Sequence, residues 1–111
     1  MCVIRSIAGN YSDHAFQGML KKSEDRHDAV EKLFKSAGGK MLAMYLTMGE
    51  YDFLTIAEFD DEEDVVSALM VAAGTGGVRN LNTTVAITTA DARKAEEKAR
   101  KIVKGFKPAG G

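Results

Sequence analysis

Five side chains in this sequence are of types that can bind or activate a small polar molecule: Asn10, Tyr11, His14, Glu58 and Arg79. The guanidinium of Arg79 suits a carboxylate or phosphate, and an imidazole or a carboxylate can transfer a proton. We therefore take the five as candidate ligand-binding residues. The ordinary alternative is that Arg79 forms an ion pair with Glu58 while Tyr11 packs at a contact between subunits, and both interpretations stay open at this point.

A second candidate is the tetrapeptide from Gly49 to Asp52, Gly-Glu-Tyr-Asp, which separates two apolar runs of strand length. This pattern predicts a β-hairpin in which Gly49 supplies the positive φ of a tight turn. Asp52 would accept hydrogen bonds from turn amides, and Tyr51 would bury its ring. We interpret Gly49, Tyr51 and Asp52 as structural. The alternative is that the tyrosine and aspartate line the mouth of a pocket.

The spacing of the potential ligand residues does not indicate a metal site or a cofactor site. His14 and His27 are distant in sequence from each other and from Cys2, whereas zinc needs three or four convergent ligands. The run Gly74–Gly77 follows a predicted helix and lacks the Lys-Ser/Thr continuation of a phosphate loop, so it is read as a helix end. We expect no metal and no cofactor, and we expect Cys2 to serve as a small apolar residue.

The composition favours a single globular domain. The chain has 111 residues, 45% of them hydrophobic, and a formal net charge of -1. This charge argues against nucleic acid or an anionic membrane as a partner. A single cysteine cannot form an internal disulfide, and no apolar run approaches the roughly 20 residues that a membrane span needs. The expectation is a soluble cytoplasmic protein.

Hydrophobic periodicity predicts the order βαββαβ with an additional C-terminal helix. Apolar residues at helical spacing follow Ser23 and Asp60, which we expect to be the N-caps, and the segment 12–22 fits a loop or a helical turn. The fold class is α+β, ferredoxin-like, with an antiparallel sheet of order 4-1-3-2. Residues 1–90 form this domain, and 91–111 form the helix and a flexible tail. The predicted strands are residues 3–11, 41–48, 53–59 and 78–88.

The predicted topology decides which candidate residues meet. We expect strands one and three to be central and parallel, which places Asn10 and Tyr11 near Glu58 and Arg79. Tyr51–Asp52 would then lie at the opposite end of the sheet, about 23 Å away for a strand of seven residues. One sheet face lies under the helices, and the other would expose apolar side chains. We expect two such faces to meet in a homodimer or in a higher even oligomer.

Four short segments carry a resemblance to a known family: Asn10-Tyr11-Ser12-Asp13, Gly38-Gly39-Lys40, Met48-Gly49-Glu50-Tyr51-Asp52 and Gly77-Val78-Arg79. In their order and spacing they resemble the GYD-domain family, which is placed among the dimeric α+β barrels. Arg26 is similar to an arginine that the family often carries early in its first helix, whereas His14 stands where a glutamine is usual. The resemblance extends over about residues 3–88. It implies the ferredoxin-like fold and a homodimer, and it implies no activity.

Two functions fit these observations. The first is a module that binds or senses a small molecule, which the cationic candidates suggest is anionic, in a pocket between sheet and helices. The second is a cofactor-free enzyme of the type that dimeric barrels host, such as an oxygenase or isomerase acting on a small polar or aromatic substrate. The second rests on analogy of fold alone.

Overall fold

The computed structural model describes residues 3–111, in which four strands and four helices form an α+β fold. Cys2, expected above to be a small apolar residue, lies outside the described residues. The elements are β1 (Val3–Tyr11), α1 (Asp13–Lys21), α2 (Arg26–Ser36), β2 (Lys40–Leu46), β3 (Phe53–Phe59), α3 (Glu62–Gly74), β4 (Val78–Ala86) and α4 (Thr89–Val103).

The strands form one antiparallel sheet of order β2-β3-β1-β4, which is the predicted order read from the other edge. The predicted direction of the central pair was wrong: β1 and β3 are antiparallel, with Val3 opposite Phe59 and Gly9 opposite Phe53. The reason is that the α2 crossover makes β1 and β2 parallel, and the hairpin then reverses the chain into β3. The end of β1 therefore adjoins the start of β3.

Alternation along the strands builds the hydrophobic core on one face of the sheet. Ile7 of β1 and Ala57 and Phe59 of β3 are buried beneath α2 and α3. The two helices contribute mainly Phe34 and Val65, and the rings of Phe34 and Phe59 meet edge to face at 5.4 Å. The core is therefore a two-layer packing of helices on a sheet.

The outer part of α3 departs from the predicted pattern. The apolar residues that follow Asp60 at helical spacing include Val66 and Met70, but the exposed fractions of these two are 51% and 68%. Ala68 is buried in their place, at 1% exposure. The small alanine lets the helix approach the sheet closely, which rotates the two larger side chains outward.

Side-chain caps define where the helices begin. Asp25 caps α2 by accepting the N–H of His27 at 2.9 Å, and Asp61 caps α3 by accepting the N–H of Glu63 at 3.0 Å. The predicted caps, Ser23 and Asp60, were therefore wrong by one or two residues, because aspartates nearer each helix reach the free amides first. Ser12 caps α1 through the N–H of Ala15, at 3.1 Å.

The connection between β2 and β3 is wider than a tight turn. Its ends are joined by hydrogen bonds from Thr47 N to Asp52 O (2.8 Å) and from Thr47 Oγ1 to Tyr51 O (2.6 Å). Positive φ occurs among the described residues at other glycines and at Asn80, not at Gly49. The predicted role of Gly49 was therefore wrong, because a longer connection reverses the chain without a left-handed residue.

Gly9 lies where the chain packs most closely around the end of β1. A Cβ at this position would lie 2.7 Å from Cζ of Phe53 and 2.9 Å from Cδ2 of Leu81. The register of β4 shifts directly opposite, between the partners of Ala8 and Asn10, and Asn80 has a φ of 56° there. The missing side chain and the bulge bring the end of β1 close to both neighbouring strands.

The second sheet face and α4 lie outside the core. Half-buried Ile4, Leu54 and Ile56 line the open face together with Tyr45, whose exposed fraction is 58%. Helix α4 is exposed along nearly its whole length, and the molecule measures 60 × 32 × 21 Å. None of the described helices has the length and apolar character needed to cross a membrane.

Candidate functional site

A cavity of about 470 Å³ lies between the helices and the covered face of the sheet. The sheet supplies its floor through Ile7, Phe53 and Thr55, and the helices supply its walls, for example Met19 of α1 and Leu33 of α2. Most of the lining is apolar. The volume falls within the range of small-molecule sites, about 300–1,000 Å³.

Polar side chains gather on the part of the lining formed by α1 and the segment that leads into α2. They are His14, Lys22, Glu24 and Arg26. Arg26 Nη1 contacts Glu24 Oε1 at 2.5 Å, and their side chains are 41% and 49% exposed. Lysine, arginine and protonated histidine can each carry positive charge, whereas the group has one carboxylate. The cavity therefore combines an apolar interior with a rim that favours an anion.

Tyr11 links the polar rim to the apolar floor. The residue is 5% exposed, and its ring packs against Phe16 and Phe53 with centroid distances of 5.6 and 5.0 Å. Burial raises the pKa of Tyr11 above 10.0, the carboxylates of Asp52 and Glu24 raise it further, and the Arg26 guanidinium partly offsets them. The phenol is therefore neutral near pH 7 and can donate a hydrogen bond.

Hydrogen bonds connect the Gly-Glu-Tyr-Asp segment, residues 49–52, to the end of β1. Asp52 Oδ2 accepts the N–H of Tyr11 at 2.9 Å, and the N–H of Asp52 donates to Gly9 O at 2.8 Å. Asn10 Nδ2 donates to Glu50 O at 3.1 Å, and Asn80 Nδ2 donates to Asn10 Oδ1 at 2.9 Å. The segment thus fixes the backbone that carries Tyr11 into the cavity.

Comparison with known proteins identifies the family. The sequence profile described as the GYD domain matches residues 7–95. The chain belongs to the GYD-domain family. A relative from Thermus thermophilus, named glutamine synthetase and cystathionine beta-lyase binding protein, is 27% identical over 85 residues. That alignment covers 77% of this chain and 88% of the relative.

Two solved structures share the fold of this GYD domain. MtbAldR superposes with a TM-score of 0.55 at 16% identity, covering 78% of this chain and 52% of that one. A transcriptional regulator from Neisseria meningitidis, solved as an L-Met complex, gives a TM-score of 0.50 at 15% identity, covering 78% and 50%. This chain therefore spans about half the length of each, and the likeness concerns the fold.

The five candidate residues do not form one cluster in this GYD domain. Asn10, Tyr11, His14 and Arg79 lie near the end of β1, but Glu58 pairs with Ile4 and Lys40 at the far end of the sheet. The antiparallel direction of β3 is the reason. Of the five, Tyr11 and His14 line the cavity.

The acidic partner of Arg79 is Asp13. The Nη2 atom of Arg79 lies 4.0 Å from Asp13 Oδ1, and the two side chains are 62% and 87% exposed. The alternative interpretation, in which Arg79 forms an ion pair with Glu58, was therefore wrong. The placement of Tyr51–Asp52 at the end opposite Asn10 and Tyr11 was also wrong, because the start of β3 adjoins the end of β1.

Most of the polar lining was not among the predicted site residues. Lys22 ends the segment that fits a loop or a helical turn, Glu24 directly follows the expected N-cap Ser23, and Arg26 is predicted only through its resemblance to a family residue. A usable signal was present, because Ser12 is followed by Phe16, Met19 and Leu20 at helical spacing. Recognising α1 would have placed its partly apolar face over the sheet.

One exposed group on α2 has the residue types of a metal site. Donor atoms of His27, Asp28 and Glu31 lie within 4.8 Å of one another, and all three residues are exposed. His27 Nδ1 is also 3.5 Å from Asp28 Oδ1. Exposed carboxylates gather in this way on many helices without an ion, so the group supports no metal assignment.

Proposed function

We propose that this GYD-domain protein is a binding or sensing module for a small anion with an apolar body. The cavity beneath α1, α2 and α3 carries this proposal, because its apolar interior of about 470 Å³ meets a rim with Lys22 and Arg26. The apolar part of such a ligand would displace water from the interior, and its carboxylate or phosphate would contact the cations. Neutral Tyr11 would donate a further hydrogen bond.

Proteins of similar sequence or fold agree with a binding role. The Thermus relative is named for binding two enzymes, and the Neisseria regulator was solved with an amino acid bound. Neither ligand transfers to this chain at such identities. They justify including amino acids among the compounds to be tested.

Calorimetric titration with paired compounds tests the proposal. We expect aliphatic or aromatic monocarboxylates to bind and their neutral amides to bind at least tenfold more weakly. R26M should weaken carboxylate binding by roughly 10- to 100-fold, as expected for a charged hydrogen bond of about 1.5–3 kcal/mol. A72W should block binding by filling the cavity, since Ala72 lines it.

The matched control is R79M, which removes an exposed arginine that does not line the cavity. It should leave affinity unchanged. Equal effects of R26M and R79M, or full binding by A72W, would contradict the site. The enzyme alternative is tested in the same samples by mass spectrometry: conversion of a bound compound that H14A abolishes would favour it, since His14 reaches the cavity.

We further infer that the protein forms a homodimer through the open face of its sheet. Ile4, Leu54 and Ile56 are apolar and only half-buried there, and Tyr45 stands exposed beside them. Y45E should raise the concentration required for association, measured by sedimentation equilibrium. L20E is the control, because Leu20 is an exposed apolar residue of α1 at 88% exposure, and the open sheet face is made by the strands alone. Similar behaviour of the two variants would argue against this interface.

A further inference from the structure

The connection between α1 and α2 lines the cavity with alternating charges. It consists of residues 22–25 and is extended at both ends, with φ and ψ of -146° and 113° at Lys22 and of -90° and 111° at Asp25. Side chains alternate between the two sides of an extended segment. Lys22, Glu24 and Arg26 accordingly line the cavity, while Asp25 caps α2. The cavity therefore meets a cation, a carboxylate and a second cation in order.

Glu24 and Arg26 present opposite charges side by side. Oε1 of Glu24 lies 2.5 Å from Nη1 of Arg26, and the two side chains are 49% and 41% exposed, so a ligand can reach both. The pair keeps further binding capacity, because a carboxylate and a guanidinium can each form more than one such bond. A ligand at this place can therefore offer a cation to Glu24 and an anion to Arg26.

The phenol of Tyr11 lies close to both of these charges. Burial raises its pKa, the Arg26 guanidinium lowers it, and the carboxylates of Asp52 and Glu24 raise it. Such effects weaken with distance, so Glu24 and Arg26 lie near the phenol. The ring of Tyr11 in turn rests on Phe53 of the cavity floor, at a centroid distance of 5.0 Å. The opposite charges therefore lie where the rim meets the apolar interior.

A ligand must match both the charges and the interior of the cavity. Because Glu24 and Arg26 are in contact, the cation and the anion of the ligand must also be adjacent, as an ammonium and a carboxylate on the same carbon are. The group attached to that carbon must be apolar to replace water in the interior. A simple carboxylate can bind Arg26, but its charge then lies beside that of Glu24, and the two repel each other.

We propose that the ligand is an α-amino acid with an apolar side chain, and that Glu24 selects it over a simple carboxylate. The carboxylate of the amino acid binds Arg26 and Lys22, and its ammonium binds Glu24. Its side chain occupies the interior beside half-buried Val30 and Leu33 of α2. An amino acid is itself a carboxylate with an apolar body, so this proposal rests on the proposed function and narrows its ligand class.

Calorimetric titration of the full chain with matched compounds tests the proposal. The compounds are L-leucine, isocaproate, which lacks the amino group, and isoamylamine, which lacks the carboxylate. Leucine should bind the wild type roughly tenfold or more tightly than either analogue, as for one charged hydrogen bond. E24Q should weaken leucine binding by roughly the same factor, since its ammonium loses a charged partner. The same variant should leave isocaproate unchanged or slightly tighter, since it removes a repelling charge.

E31Q is the matched control, because Glu31 is an exposed carboxylate of α2 that does not line the cavity. It should leave all three affinities unchanged. Equal losses of leucine and isocaproate in E24Q would overturn the proposal, since Glu24 would then only position Arg26. Wild-type protein that binds isocaproate as tightly as leucine would also overturn it, while the proposed function would stand. If neither compound binds, the proposed function fails as well.

Discussion

Replacing Asp52 by alanine should remove a hydrogen bond that the protein backbone cannot replace. The carboxylate accepts the N–H of Tyr11, which lies at the end of β1 where the chain turns away from the sheet into α1. Tyr11 is nearly buried, so water has little access to that amide. The variant therefore loses a charged acceptor and leaves a donor without a partner.

The size of the effect follows from the type of bond. A hydrogen bond to a charged group contributes about 1.5–3 kcal/mol, and a buried group without a partner costs about 1–3 kcal/mol. We expect D52A to lower the free energy of unfolding by about 2 kcal/mol. With a denaturant slope of about 1–3 kcal/mol per molar urea, the unfolding midpoint should fall by roughly 1 M.

Urea denaturation followed by circular dichroism measures this shift at a fixed protein concentration, since self-association would otherwise contribute. D52N, which keeps an oxygen acceptor but no charge, should lose about half as much. E50A is the matched control, because Glu50 is exposed in the same connection and accepts from Asn10 through its backbone oxygen. A D52A midpoint within about 0.2 M of E50A would refute the reasoning.

Two further predictions concern packing and ionisation. G39A should destabilise the protein by about 1–3 kcal/mol in urea unfolding, because a Cβ at this position overlaps the ring of Phe59. G49A should be neutral, since no atom lies within 4 Å of a Cβ at position 49. Equal unfolding midpoints of the two variants would contradict this prediction. The pKa of Tyr11, followed by ultraviolet absorbance, should lie above 10.0 and should rise further in R26M. The contribution of Tyr11 to stability is therefore complete below pH 10.0 and is lost as the pH rises through the raised pKa. An unchanged titration curve in R26M would count against this electrostatic account.

The element order was predictable from sequence because periodicity reports which face of each segment is buried. β1 and β3 match the predicted bounds, since each is a run of strand length with polar residues at its end: Ser12 and Asp13 follow β1, and Asp52 and Asp60 flank β3. The sequence did not distinguish helix α1 from a loop, because none of its nine residues is buried. The missed caps have the same origin: in acidic runs such as 60–64, several neighbours have the chemistry of a cap, and tertiary position selects Asp61.

The candidate site was less predictable, because it depends on strand direction. One error, the parallel placement of strands one and three, moved Glu58 into the cluster and Asp52 out of it. The correct direction follows from connectivity alone, because one crossover helix and one hairpin determine it. The cavity itself could not be inferred in this way, since its volume depends on how far α1 and α2 stand from the sheet.

The antiparallel direction also gives the Gly-Glu-Tyr-Asp segment an indirect role in the proposed ligand binding. Asp52 and Tyr51 do not line the large cavity, whereas Tyr11 does. Asp52 holds the Tyr11 amide, so it positions the phenol between the apolar floor and the cationic rim. D52N should therefore weaken carboxylate binding by more than its loss of stability accounts for, while E50A should not. A ligand affinity in D52N equal to that of the wild type, in fully folded protein, would limit the segment to stabilising the fold.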